Sequence, residues 1–131
     1  MTINETAQEI HREAIKRGFY DDIEILTRST SPEKVKSANH MFFAQQVALV
    51  MTELAEAIEA DRNGFVCPEL PEKMTGLEYG GLVKGTRESE ICDAISRLFD
   101  IAARLGIDIE RHLTLKAEYN NHREYKHGKN Y

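Results

Sequence analysis

The chain has 131 residues, of which 41 % are apolar and 30 % charged, a composition typical of a globular domain rather than a disordered segment. Its length predicts one domain spanning residues 1–131. The net charge of −5 at pH 7 argues against binding nucleic acid through its phosphates, which requires a basic surface. Gln45, Gln46 and Thr52 bracket the longest apolar stretch, so no membrane span is expected. These features predict a soluble cytoplasmic protein.

The first half of the chain carries the signals of two helices. Thr2 and Glu5 have the spacing of a capping box that opens a first helix, and Gly18 is expected to end it. The Ser-Pro pair at residues 31–32 is typical of the start of a second helix. That helix either begins there or is interrupted near residues 37–39, and the sequence leaves both alternatives open.

The segment from residue 47 to residue 62 predicts one long amphipathic helix. Glu53 and Glu56 are three residues apart in it, so their Cβ atoms are expected roughly 5–6 Å apart on one helix face. Carboxylates at this spacing can share a hard cation. The predicted buried stripe recurs at three- and four-residue steps and consists of Val47, Val50, Met51, Leu54 and Ile58.

Residues 65–85 contain four glycines and two prolines, which predicts a long irregular loop. Loops of this length inside a compact domain are often functional. Lys73, Lys84 and Arg87 could approach an anionic ligand, so the segment is either a lid that contacts substrate or a solvated loop.

A third helix is predicted from its N-cap at Thr86 to Leu105. Glu90 and Asp93 repeat the three-residue acidic spacing within it, and Arg97 has the spacing to pair with Asp93 one turn later. The predicted buried stripe of this helix consists of Ile91, Ile95, Leu98, Ala102 and Leu105.

Asp108 is expected to cap a fourth helix. No segment alternates strictly between apolar and polar residues as a half-buried strand does. Apolar stripes on four helices exceed what one thin bundle covers. The sequence therefore predicts an all-α fold, a helical bundle of four to five helices whose core is completed by dimerisation.

Acidic residues three apart occur by chance roughly three or four times in a chain this rich in carboxylates, and this chain has five such pairs. Their number therefore decides nothing. The Glu53/Glu56 and Glu90/Asp93 pairs differ because each lies within an apolar-periodic helix, where neighbouring like charges repel unless a cation or solvent relieves them. If the two helices pack together, four carboxylates converge, and the alternative is a solvated acidic face.

A metal at such a site is predicted to be Mg²⁺, with Mn²⁺ as the alternative, because carboxylate oxygens without Cys or His suit hard cations. Cys67 and Cys92 are isolated and lack the spacing of a zinc site, which predicts two reduced thiols. The chain also lacks the glycine-rich loop of P-loop enzymes and the serine elbow of hydrolases.

With the carboxyl-terminal run, the acidic pairs resemble the all-α nucleoside triphosphate pyrophosphohydrolase superfamily, in particular its MazG-like members. That family is marked by Glu-x-x-Glu on one helix and Glu-x-x-Asp on the next, which here are Glu53-Leu-Ala-Glu56 and Glu90-Ile-Cys-Asp93. Its Lys-x-x-x-Asn-x-x-Arg segment is similar to the run through Lys116, Asn120 and Arg123.

Two features depart from the family pattern. The stretch between the acidic helices is longer than is common, and Glu124 stands where a proline is usual after the arginine. Because of the longer stretch, the resemblance predicts neither the role of the loop nor the base that the enzyme prefers.

The resemblance implies a Mg²⁺-dependent enzyme that converts a ribo- or deoxyribonucleoside triphosphate to the monophosphate and pyrophosphate, for control or housecleaning of the nucleotide pool. It also implies a homodimer or a dimer of dimers. The residues implied to be catalytic and to bind the metal are Glu53, Glu56, Glu90 and Asp93. The residues implied to bind the substrate are Lys116, Asn120 and Arg123.

Two other functions are compatible with these motifs. Phosphoribosyl-ATP pyrophosphatase of histidine synthesis shares the paired acids but is usually a shorter chain. The alternative that is not an enzyme is a catalytically silent helical dimer, which serves as an interaction module.

Overall fold

A computed structural model of the protein describes residues 1–123 and 128–130. Within those residues every regular element is helical and there is no strand, so the prediction of an all-α fold is confirmed. The Glu124–His127 segment, with its departure from the family pattern, lies outside the described residues. The helices are α1 (Ile3–Lys16), α2 (Asp21–Arg28), α3 (Pro32–Arg62), α4 (Gly76–Val83), α5 (Arg87–Arg104) and α6 (Ile109–Asn121).

The described residues contain six helices, more than the four to five predicted, because neither of the short helices α2 and α4 was predicted from the sequence. The negative charges of Asp21, Asp22 and Glu24 occupy the first turn of α2, where they are favoured by the helix dipole. A capping box between Thr75 and Glu78 begins α4. The prediction that residues 65–85 are irregular throughout is therefore wrong for α4.

The predicted ends of the longer helices are largely confirmed. Thr2 and Glu5 form the capping box of α1, and the side chains of Thr86 and Asp108 cap α5 and α6. The alternatives for the second helix are resolved in favour of α3, which starts after Ser31 and continues for 31 residues without a break.

The core lies where α3 and α5 pack against each other in opposite directions. Gln46 contacts Arg104 at one end of the pair, and Asp61 contacts Arg87 at the other. Helix α1 packs on the outer side of α5, and α2 packs on α3. The buried residues of the α3–α5 pair are mostly small, which allows the two backbones to approach closely: Val50, Ala57, Ala60, Ala94, Ile101 and Ala102.

The predicted buried stripes are mostly wrong for a single chain. Met51 is 64 % exposed, and Leu54 and Ile58 are also exposed. Residues 51, 54 and 58 each follow one of the buried residues 50, 53 and 57 by one position. One position along a helix is a rotation of about 100° around its axis. The second predicted stripe is likewise exposed except at Ala102. The large aliphatic side chains of both helices thus form an apolar face that no other described residue of the chain covers.

Helix α3 also contains an 18-residue window with a mean hydropathy of 1.2, so it is long and apolar enough to cross a membrane by length and composition alone. The expectation that no segment approaches a membrane span does not hold on this criterion. Buried core helices of soluble proteins meet the same criterion, but only 17 % of this stretch of α3 is buried within the chain.

Shortening Val50 to alanine tests the packing of α3 on α5. Val50 belongs to the buried cluster with Ala94 and Ile101, so Val50→Ala should lower the free energy of unfolding by about 2 kcal/mol through lost burial and a residual cavity. The measurement is urea unfolding with an unchanged m-value. Lys36→Ala, on an exposed turn of the same helix, should have little effect, and an equal loss in both variants would contradict this core.

Candidate functional site: an acidic cluster beside a groove

Three of the four predicted carboxylates converge where α3 and α5 cross. Carboxylate oxygens of Glu53, Glu56 and Glu90 all lie within 4.8 Å of one another. Glu53 belongs to the buried face of α3 and is only 9 % exposed, whereas Glu56 is exposed and Glu90 half-buried. We call these three residues the acidic triad. Glu53 and Glu56 belong to α3 and Glu90 belongs to α5, so the triad spans the interface between the two helices.

Asp93, the fourth predicted carboxylate, lies outside the acidic triad. It is exposed and sits one turn after Glu90 on α5. Burial and the negative charge of Glu53 raise the pKa of Asp93, while the nearby Arg97 opposes this rise. Asp93 is therefore an electrostatic neighbour of the triad that does not share its oxygen cluster.

Negative charge accumulates at the triad without full compensation. The pKa of Glu90 is raised by burial and by the charges of Glu56, Asp93 and Glu53, in that order. A carboxyl group with a raised pKa favours the proton over the free anion, and a divalent cation would relieve the same repulsion. The all-oxygen donor set without Cys or His fits Mg²⁺ or Mn²⁺.

Arg97 is the cation in direct contact with the triad. Its Nε donates to Glu53 Oε1 at 2.7 Å, across the interface between α5 and α3. The sequence spacing suggested a pair with Asp93 on its own helix, but the ion pair made is with Glu53. The reason is that Glu53 is buried and needs a charged partner, whereas Asp93 is exposed to solvent.

A groove of about 1340 Å³ adjoins the triad and is bounded by α1, α2, α3 and α5. Its walls are largely apolar, with Ile23, Phe42 and Leu49 among them, and it reaches Glu53 and Asp93. Large apolar grooves with a few convergent polar groups are the usual form of small-molecule sites. The groove thus meets the triad at Glu53, while Glu56 and Glu90 lie outside its lining.

A polar network follows one wall of the groove and joins four helical segments. Asp100 Oδ1 lies 2.7 Å from His11 Nδ1, and Gln46 Nε2 donates to the Tyr20 hydroxyl at 2.9 Å. Burial and then Asp100 raise the pKa of Tyr20, and Arg104 stacks over its ring. Sequence reasoning missed the His11–Asp100 contact because its partners are 89 residues apart and no spacing signals it.

The predicted substrate-binding residues do not meet the triad within the chain. Lys116 and Asn120 lie on α6, and Arg123 follows its end. All three are exposed, and among the described contacts Lys116 and Arg123 approach the ring of Tyr119. Helix α6 packs mainly on α1, beside the Asn4–Asp108 hydrogen bond.

The start of the predicted loop, for which a lid and a solvated loop were the alternatives, is hydrogen-bonded to the start of α5. Phe65 O accepts from the backbone of Arg87, and the Cys67 backbone donates to Glu88. The Arg87 side chain pairs with Asp61 and Glu88, so it is engaged by protein carboxylates in this structure. Cys67 and Cys92 are both free, as the sequence predicted.

No protein family, curated protein or solved structure matches this chain. A reaction can therefore be argued only from the motifs and from the geometry of the triad and the groove.

Replacing Glu90 with glutamine should relieve the repulsion in the triad. The pKa of Glu90 is raised by folding, so its ionisation destabilises the folded state as the pH rises above about 4, the value in an unfolded chain. Glu90→Gln should raise the Tm by about 2 °C at pH 7.5, and this gain should disappear below about pH 4. The measurement is thermal unfolding across this pH range.

Glu118→Gln on the exposed surface of α6 serves as the control and should leave the Tm unchanged. A lower Tm for Glu90→Gln at pH 7.5 would mean that Glu90 is stabilised by contacts and is not part of a repulsive cluster.

Proposed function

We propose that the protein is a Mg²⁺-dependent, MazG-like nucleoside triphosphate pyrophosphohydrolase. The observation that supports this best is that Glu53, Glu56 and Glu90 converge from two helices beside a groove large enough for a nucleoside. The motif resemblance supplies the reaction class, and the convergence of its acidic residues in space is what the class requires.

The reaction cleaves the bond between the α- and β-phosphates, so that a nucleoside triphosphate and water give a nucleoside monophosphate and pyrophosphate. Bound Mg²⁺ supplies neutralisation of the charge that develops on the phosphate oxygens. Glu53, Glu56 and Glu90 are the residues that would hold it. Asp93 lies next to the triad but outside its oxygen cluster, so it is our candidate for orienting the attacking water and accepting its proton.

The groove is our candidate site for the base and sugar. Its apolar walls would exclude water from the bound nucleoside. Because the groove opens directly onto Glu53 and Asp93, a nucleoside lying in it would direct its phosphates towards the triad.

The activity is tested by measuring pyrophosphate and orthophosphate released with Mg²⁺ from a panel of ribo-, deoxyribo- and oxidised nucleoside triphosphates, with phosphoribosyl-ATP included. Pyrophosphate should be the product. Glu53→Gln should lower kcat/KM by about a hundredfold or more, because it removes a charge that the transition state depends on. Glu59→Gln is the matched control, since Glu59 is on the same helix and pairs with Arg62 outside the triad.

If phosphoribosyl-ATP alone is turned over, the protein is a phosphoribosyl-ATP pyrophosphatase of histidine synthesis and not a general nucleoside triphosphate pyrophosphohydrolase. No turnover on any substrate, together with a Tm that Mg²⁺ leaves unchanged, would favour the silent interaction module.

We also propose that the active form is at least a homodimer. Exposed aliphatic side chains on α3 and α5, including Met51, Ile58 and Leu98, form a larger apolar face than a monomeric protein usually leaves in water. A second copy of the chain would bury this exposed face and so complete the core. Since Lys116 and Asn120 do not contact the triad of their own chain, α6 is proposed to serve the site of the partner subunit.

Mixing two inactive variants tests this arrangement. Glu53→Gln and Lys116→Ala should each be nearly inactive, but chains refolded together should regain about a quarter of the wild-type activity, because half of the dimers are mixed and each has one intact site. Sedimentation analysis should give a dimer or tetramer in all samples. A stable monomer, or no recovery in verified mixed dimers, would contradict a shared site.

A further inference from the structure

Arg97 occupies two environments at once. Its Nε is bonded to Glu53 in the triad, and its side chain lines the groove next to Asp93 and Ser96. The Arg97 side chain is 42 % exposed, whereas that of Glu53 is 12 % exposed. The guanidinium is therefore free to change partners, while the carboxylate is held in place by the packing of α3 on α5.

A divalent cation and Arg97 would compete for Glu53. The 2.7 Å contact uses Glu53 Oε1, and both cations are attracted by the same negative charge. Holding both in one small cluster would place like charges next to each other, which is costly where solvent is partly excluded. Metal binding is therefore expected to weaken the Arg97–Glu53 pair.

A displaced Arg97 side chain could still reach the groove, because Arg97 is one of its lining residues and the α3–α5 core fixes the position of its backbone. The planar guanidinium binds two phosphate oxygens at once and keeps its charge at all working pH values. Within the described residues, Arg97 makes the one ion pair with the triad. By contrast, Arg104 is bonded to Gln46 and Asn39 and stacks on Phe42.

We infer that Arg97 is an exchangeable counter-cation: it neutralises Glu53 in the metal-free protein, yields Glu53 to the metal, and then binds a phosphate of the substrate. This inference rests on the proposed function, because it assigns a step in loading of the same site. It adds a substrate-binding residue that none of the motifs contains, and it makes metal binding and phosphate binding interdependent.

The experiment measures two affinities of the full chain. Mn²⁺ binding alone is followed by electron paramagnetic resonance, and binding of inorganic tripolyphosphate to the Mn²⁺-saturated protein by calorimetry. Arg97→Gln should bind Mn²⁺ on the order of fivefold more tightly, because a competing ion pair is removed. It should bind tripolyphosphate about tenfold or more weakly, because a charge-assisted hydrogen bond is lost. Arg97→Lys should recover part of the tripolyphosphate affinity.

Arg28→Gln is the matched control. It removes the same charge from an exposed pair with Glu24 on α2, so both affinities should stay at the wild-type values. The opposite signs of the two changes distinguish exchange from other roles. Tighter Mn²⁺ binding with unchanged tripolyphosphate binding would make Arg97 an electrostatic bystander, and weaker binding of both with a lower Tm would make it structural; either result overturns the inference. Wild-type protein that binds no Mn²⁺ would overturn the proposed function as well.

Discussion

The close packing of α3 on α5 is the constraint on which the rest of the structure depends. Small side chains such as Ala57 and Ala94 let the two backbones approach, and Glu53 lies on this packed face as its one buried carboxylate. A larger residue at either alanine would separate the helices and with them the members of the acidic triad. The same contacts that stabilise the fold therefore set the geometry of the candidate site.

The charges at the triad are only partly balanced within the chain. Glu53 is balanced by Arg97, but burial and then the repulsion from three other carboxylates raise the pKa of Glu90. Native proteins tolerate such local strain at sites where a ligand relieves it. The helix caps and the α3–α5 core supply stability that offsets the repulsion between the carboxylates of the triad.

The exposed apolar face of α3 and α5 and the exposed surface of α6 have a common explanation if the functional unit contains more than one chain. The chain packs its small residues internally and leaves large aliphatic ones such as Met51 and Leu98 exposed. Helix α6 likewise has no buried residue. An oligomer would cover these surfaces and bring Lys116 and Asn120 of α6 towards a site that has Arg97 as its paired cation.

The sequence by itself determined the all-α class, the caps at Thr2, Thr86 and Asp108, and the acidic pairs, because these depend on periodicity and on hydrogen bonds between near neighbours. It placed Val47 and Val50 of α3 correctly in the core but misassigned Met51, Leu54 and Ile58, since a one-residue shift rotates a helix face by about 100° and large aliphatics outweighed alanines in the pattern. Only the tertiary structure decided which carboxylates converge, that Arg97 pairs with Glu53 rather than Asp93, and that a groove joins the triad. Those contacts link helices far apart in the chain, and their geometry follows from packing, which local spacing does not encode.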